Sequence, residues 1–277
     1  MSNKLRMILD NLHDTATLTA STEGMPIEYT QRSGRSYVWR SEFQPVVDLP
    51  EQTIEATLAK PAYLDAVVIY AHNISTAGTV RVELMLSGSV VYDSGAVVAT
   101  EIIPLGIWRA GIDPWGASAL TGLPIRQYTS WIDPVVADAY RITINDPANP
   151  DDYLEIGRIF AGVTFSPELN PQYGVSLDWL DFTELQRTES GSLRAVGEGS
   201  ARRLSIDLAH LSREGISENT RQLLTAGKRR DIYVSMYPEQ GGMLENEHAF
   251  VARRGGDYTH THSAYNQWQA PIQFDEV

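Results

Sequence analysis

The sequence predicts a mainly β fold in two modules, with a single helix in the second. Three observations carry this. Short apolar-alternating segments recur from Tyr37 to Phe165 with no long helical period between them. A strand pair, Tyr140–Ile144 and Tyr153–Phe160, then closes the first half, and Pro167 and Pro171 turn the chain away from it. Only 214–227, EGISENTRQLLTAG, combines apolar spacing with end signals: Ser217 as a possible N-cap and Gly227 as a C-cap. Short strands at this spacing argue for a β-sandwich or jelly roll.

In chain order, residues 1–36 read as an arm. Leu5, Ile8, Leu9 and Leu12 fit a short helical spacing, and 15–24 looks extended, so order is expected from docking on the arm's own domain or on a neighbour. YVWRSEF is a short aromatic strand. TIEATLAKP is a second strand, expected to end at Pro61, and YLDAVVIYAHN is apolar enough to be covered on both faces. TVRVELMLSGSVVYDSG reads as a hairpin turning at Ser87-Gly88-Ser89. The segment 106–138 breaks the rhythm with Gly, Pro and Trp; loops this long are usually functional or held by a partner. Beyond the linker, Val175, Leu177 and Trp179 share one strand face, 181–202 is a polar, Gly-punctuated excursion, and Arg203–Leu208 returns as a strand. DIYVSMY, a turn over Pro238–Met243, Glu247–Ala252 and QWQAPIQF follow, with Pro271 suggesting an edge strand.

Composition excludes several classes. The chain has 277 residues, 43% hydrophobic, which suits two modules with real cores. It has no cysteine, hence no disulfide framework and no thiolate zinc site. No apolar run is long enough to span a bilayer, and the first residues make a poor secretory signal. The net charge of −13 opposes a grip on nucleic acid, because affinity for phosphate comes from Lys and Arg. Such a charge serves solubility, and it also suits a surface past which DNA must move without sticking.

The quoted strands YVWRS, LDAVVIYAHNIS, RVELMLSGSVVYDSG and YRITI…YLEIGRIFAG resemble a galactose-binding-like, discoidin-type jelly roll over 37–165. The stretch NPQYGVSLDWLDFTELQRTESGSLRAV…RRLSIDLAHL, with YLEIGRIFAG, resembles the tube-like β-sandwich of long-tailed bacteriophage distal or minor tail proteins. Together these imply an arm (1–36), a carbohydrate-module-like jelly roll (37–165) and a tail-tube-like β domain (166–277) with its helix near 214–227. They also imply a ring-forming, hexameric virion adaptor at the tail tip, assembled in the host cytoplasm. It would contact other tail and baseplate proteins and let DNA pass without specific binding. The alternative implied by the first module alone is a surface or secreted carbohydrate-binding protein that contacts a host glycan.

Candidate residues follow from chemistry. Trp108, Trp115, Tyr128 and Trp131 can form a stacking platform for a sugar or a neighbouring subunit, or can simply cap the core. Glu184, Glu189 and Glu198 on the polar excursion are candidates for the face of a DNA passage, with Arg187 and Arg194 between them. His248, Asp257, His260 and His262 look like metal ligands, but they lie in a loop-like segment and read better as a polar hairpin tip. The pairs Asp151/Asp152 and Asp178/Asp181 sit at turns or strand ends, where acids are common, rather than as a glycosidase pair. No nucleophile elbow or phosphate loop is present, so neither an enzyme nor a cofactor is expected.

Overall fold

A computed structural model describes residues 4–44, 49–103, 107–123, 125–197 and 199–277. The β-rich class holds, with helices confined to short 3-10 turns, Arg213–Ala226 and Gly242–Glu247 among the described residues. The chain divides into two compact units, Met1–Ser166 with Ile232–Phe250, and Pro167–Asp231 with Val251–Val277. One crossing falls between Ser166 and Pro167. The other two fall inside the stretch that the sequence reading gave wholly to the second module.

The first unit is built on the strand Gln52–His72, which runs straight through the expected stop at Pro61. Its ladder with Gln127–Asn145 shifts register between Thr57 and Ala62, so Pro61 falls in an irregularity where no amide is required of it. The antiparallel order is Trp39–Arg40, Glu155–Gly162, Gln52–His72, Gln127–Asn145, Thr79–Leu86, Ser89–Asp93. Thr17–Ala20 adds on beside Ile54–Thr57, and Val97–Val98 beside Thr79 and Val80. Ala66 to Ile69 are wholly buried, as expected of a strand covered on both faces. Val67, Val68 and Ile69 each contribute about 1.5–3 kcal/mol by leaving water. Val67 and Ile69 join the main core with Trp39, Tyr140 and Ile142. The hairpin turns at Ser87 and Gly88, both at positive φ, as a two-residue connection between twisted strands needs.

Two expectations for this unit are corrected. The N-terminal residues do not form a helix: Arg6–Ile8 is a strand paired with Thr164–Phe165 on one side and Ile232–Ser235 on the other. That ladder uses every residue of the short strand, which outweighs its apolar spacing. The arm docks on its own domain, one of the two outcomes expected for it. Asn11 donates to the Ile159 carbonyl at 2.9 Å and accepts from the Ala161 amide at 2.9 Å. His13 sits fully buried between Tyr140 and Thr30. The second correction concerns 106–138: Gln127–Asn145 is one long strand, so Tyr128 and Trp131 belong to the sheet and not to the loop.

In the second unit Ser176–Asp181 pairs with Ser200–Leu211, which pairs with Gln267–Glu276. Pro271 is not on an edge strand. It lies between the residues that pair with Thr261–Ala264 and those that pair with Ala252–Arg254, and on its other side it stands opposite Asp207. The helix starts earlier than expected: Ser212, not Ser217, is the N-cap, its hydroxyl accepting from the Gly215 amide at 3.0 Å. Gly227 ends it at positive φ. The polar excursion is a separate two-stranded hairpin, Glu184–Arg187 with Leu193–Val196, every residue of which is exposed.

Candidate functional site

Within the first unit, 101–102 and 118–119 come together as a closed stem, and 107–116 are described beyond it. Ile102 bridges Ser118, Ala119 donates to the Glu101 carbonyl at 3.2 Å, and the Ser118 hydroxyl donates to the same carbonyl at 3.0 Å. Farther out, the Arg109 amide and guanidinium both donate to Asp113, at 2.8, 3.1 and 3.2 Å. These donors hold the Asp113 carboxyl below its ordinary range. Trp108 Nε1 donates to the Pro114 carbonyl at 3.2 Å, which orients its ring. Gly111 and Gly116 take the positive φ that these tight turns need. The result is an edge-to-face pair: Trp108 and Trp115, centroids 5.6 Å apart at 86°. Trp115 is 84% exposed, with Ile107 at 70% and Ile112 at 68% beside it in sequence.

The stem of this loop forms one wall of a cleft of about 410 Å³. Val98, Ala99, Ile102, Leu120 and Tyr128 supply apolar surface, and Glu101, Gln127, Glu245 and Asn246 supply polar groups. Glu245 is fixed by Trp131 Nε1 at 2.8 Å and the Gly241 amide at 2.9 Å. Burial nevertheless pushes its carboxyl up, ahead of the lowering effect of those donors. The guanidinium of Arg6 lies 4.9 Å over the Trp131 ring. The Tyr128 phenol is pushed up to about 12 by burial. Gly242, at φ 67°, lets the Glu101 carboxylate approach: an added Cβ there would meet both its oxygens at 3.1 Å.

The four aromatic residues singled out from the sequence therefore divide. Trp108 and Trp115 form an outward pair. Tyr128 lines the cleft, and Trp131 orients one of its acids. Sequence reasoning missed Glu101, Gln127 and Glu245, because only the fold brings 101, 127 and 245 to one cleft. Gly241-Gly242, read as turn glycines, are that and also make room for Glu101.

The other candidates are placed as follows. Glu184 lies on the exposed hairpin across from Val196, on the same strand face as Gln186, whose cross-strand partner is Arg194. That face is of mixed charge. Glu189 is in the hairpin's turn, and Glu198 lies outside the described residues. His262 stacks on Trp268 at 4.6 Å, and Asp257 pairs with Lys228 at 2.6 Å. His248 belongs to the other unit and packs edge-on against Tyr237. Asp151 accepts from Asn73 at 3.0 Å, and Asp152 is a turn residue at positive φ. Asp178 and Asp181 lie on the strand Ser176–Asp181; the Asp181 carboxylate accepts from the Thr183 amide at 2.8 Å.

No family model and no curated protein matches the chain. Among solved structures it is similar to a family 32 carbohydrate-binding module of C. perfringens NanJ in complex with galactose, at 14% identity and a TM-score of 0.38, covering 56% of this chain and 98% of that one. It is also similar to module CBM32-3 from a family 31 glycoside hydrolase of Clostridium perfringens, at 14% identity and a TM-score of 0.37, covering 54% and 95%. A Streptococcus pneumoniae fucose binding module aligns at 12% identity and a TM-score of 0.36, covering 55% and 94%.

Proposed function

We propose that the chain is a non-catalytic binding protein whose first unit contacts glycans through the Trp108–Trp115 loop. The observation that carries this is the exposure of Trp115 on a loop whose shape is fixed by its own hydrogen bonds. A large ring left in water next to a hydrogen-bonded turn is a ready contact surface. Its face can stack on the apolar face of a sugar ring, while Arg109 and Asp113 beside it offer a donor and an acceptor to hydroxyls. The strand pattern that resembles a galactose-binding-like jelly roll supports the same reading. A glycan array probed with the full chain tests it. Binding to a subset of glycans that is lost in Trp115→Ala supports it; an array blank at high protein concentration overturns it.

A second reading, a structural subunit of a phage tail tip, is favoured by one feature. The hairpin Glu184–Arg187/Leu193–Val196 exposes Leu185 at 65%, Leu193 at 54% and Val196 at 50%, and a two-stranded hairpin alone in water is marginal. Assembly with further copies would cover those side chains.

A further inference from the structure

The cleft behind the aromatic loop has features that the glycan reading does not use. The Glu101 carboxylate lines it and, among the described residues, forms no ion pair or side-chain hydrogen bond. Gln127 also lines it; the residue is only 7% exposed, yet its amide oxygen has no hydrogen-bond partner. Glu245, the second acid, is already held by Trp131 and Gly241. Thr129 and Asn246 are the other polar residues of the lining, and Val98, Ile102, Leu120 and the ring of Tyr128 supply its apolar walls.

We propose that this cleft binds a primary ammonium group carried on a short apolar stem, with the Glu101 carboxylate as its counter-ion and acceptor. An ammonium has three donors and no acceptor, which complements a carboxylate whose oxygens are left without a donor. The stem lies against the apolar walls, as lysine stems do on protein surfaces. A hard divalent cation fits less well, because it demands six or more oxygens and gains nothing from aliphatic walls. The net charge of −13 enriches cations around the whole protein. Two sources share this chemistry, a free alkylamine and a lysine side chain of a partner chain. The site uses the stem of the aromatic loop, through Glu101, Ile102 and Leu120, and not the Trp108–Trp115 pair.

The test is a titration of the full chain followed by NMR on the Trp131 indole N–H, which reports on the cleft through Glu245. The probes are n-butylammonium, Nα-acetyl-lysine methylamide and, as the neutral counterpart, n-butanol. Both amines are expected to move the Trp131 signal, with n-butanol weaker by about tenfold or more, since charge-assisted hydrogen bonds are roughly twice as strong as neutral ones. Tighter binding of the lysine derivative would identify a protein partner as the source, and tighter binding of n-butylammonium a free amine. Added salt should weaken the amines and leave the alcohol unchanged. Glu101→Gln, checked for an unchanged melting temperature, should erase the preference for charge. Equal binding of amine and alcohol, no salt effect in the wild type, or a Trp131 signal unmoved by amine would each overturn the proposal.

Discussion

Trp131 donates its indole N–H to Glu245 Oε1 at 2.8 Å, joining residues 114 positions apart. The contact fixes the floor of the cleft and explains how a buried acid is tolerated there. Burial raises the Glu245 carboxyl in the folded state, so the native protein holds that proton more tightly than the unfolded chain does. Stability from this group is therefore greatest at low pH and declines as pH rises from the ordinary carboxylate value through the raised one. Glu245→Gln is expected to remove that decline. Denaturant titrations at several pH values check it, and an unchanged pH slope would contradict it.

Two buried histidines act in the opposite direction. His13 is lowered to about 3 and His72 to about 4 from 6.5, mainly by burial. The unfolded chain thus takes up protons that the folded one refuses, and stability falls as pH drops below about 6.5. Each group contributes up to about 1.4 kcal/mol per pH unit in that window. Between pH 6.5 and 5, ahead of most carboxylate titration, His13→Gln should flatten the slope. A wild-type stability that stays constant over that range would count against buried neutral imidazoles.

The fragment 37–165, a natural cut from the sequence alone, is expected to fail. It lacks Asn11, which bonds Ile159 and Ala161, and it lacks His13 and Ile27, both buried against this unit. Calorimetry should show no cooperative transition for it. A sharp melt would show that the N-terminal residues are dispensable.

The strands and their hairpins were legible because period-two alternation is local: Thr79–Leu86 and Ser89–Asp93 fall where the pattern puts them. The N-terminus misled because Leu5, Ile8 and Leu9 are spaced for a helix, yet Arg6–Ile8 finds ladder partners at 164–165 and 232–235. The aromatic loop was visible from its composition. The cleft was not, because Glu101, Gln127 and Glu245 meet only once the fold exists, and no local signal joins them.

For the exposed hairpin, Leu185→Asp with Leu193→Asp should leave the melting temperature nearly unchanged, since surface sites typically shift stability by less than about 0.5 kcal/mol. If the hairpin mediates assembly, the same pair of changes should shift sedimentation toward monomer. A wild type that is monomeric at high concentration would remove the assembly reading.

If Trp115 contacts glycan, its removal must weaken binding without unfolding the protein. Calorimetric titration of the best array glycan into wild type and Trp115→Ala tests it most directly. The expected result is an affinity loss of more than about tenfold, the scale of an interface hot spot, with an unchanged melting temperature because the ring is 84% exposed. Equal affinity in the two proteins would contradict it.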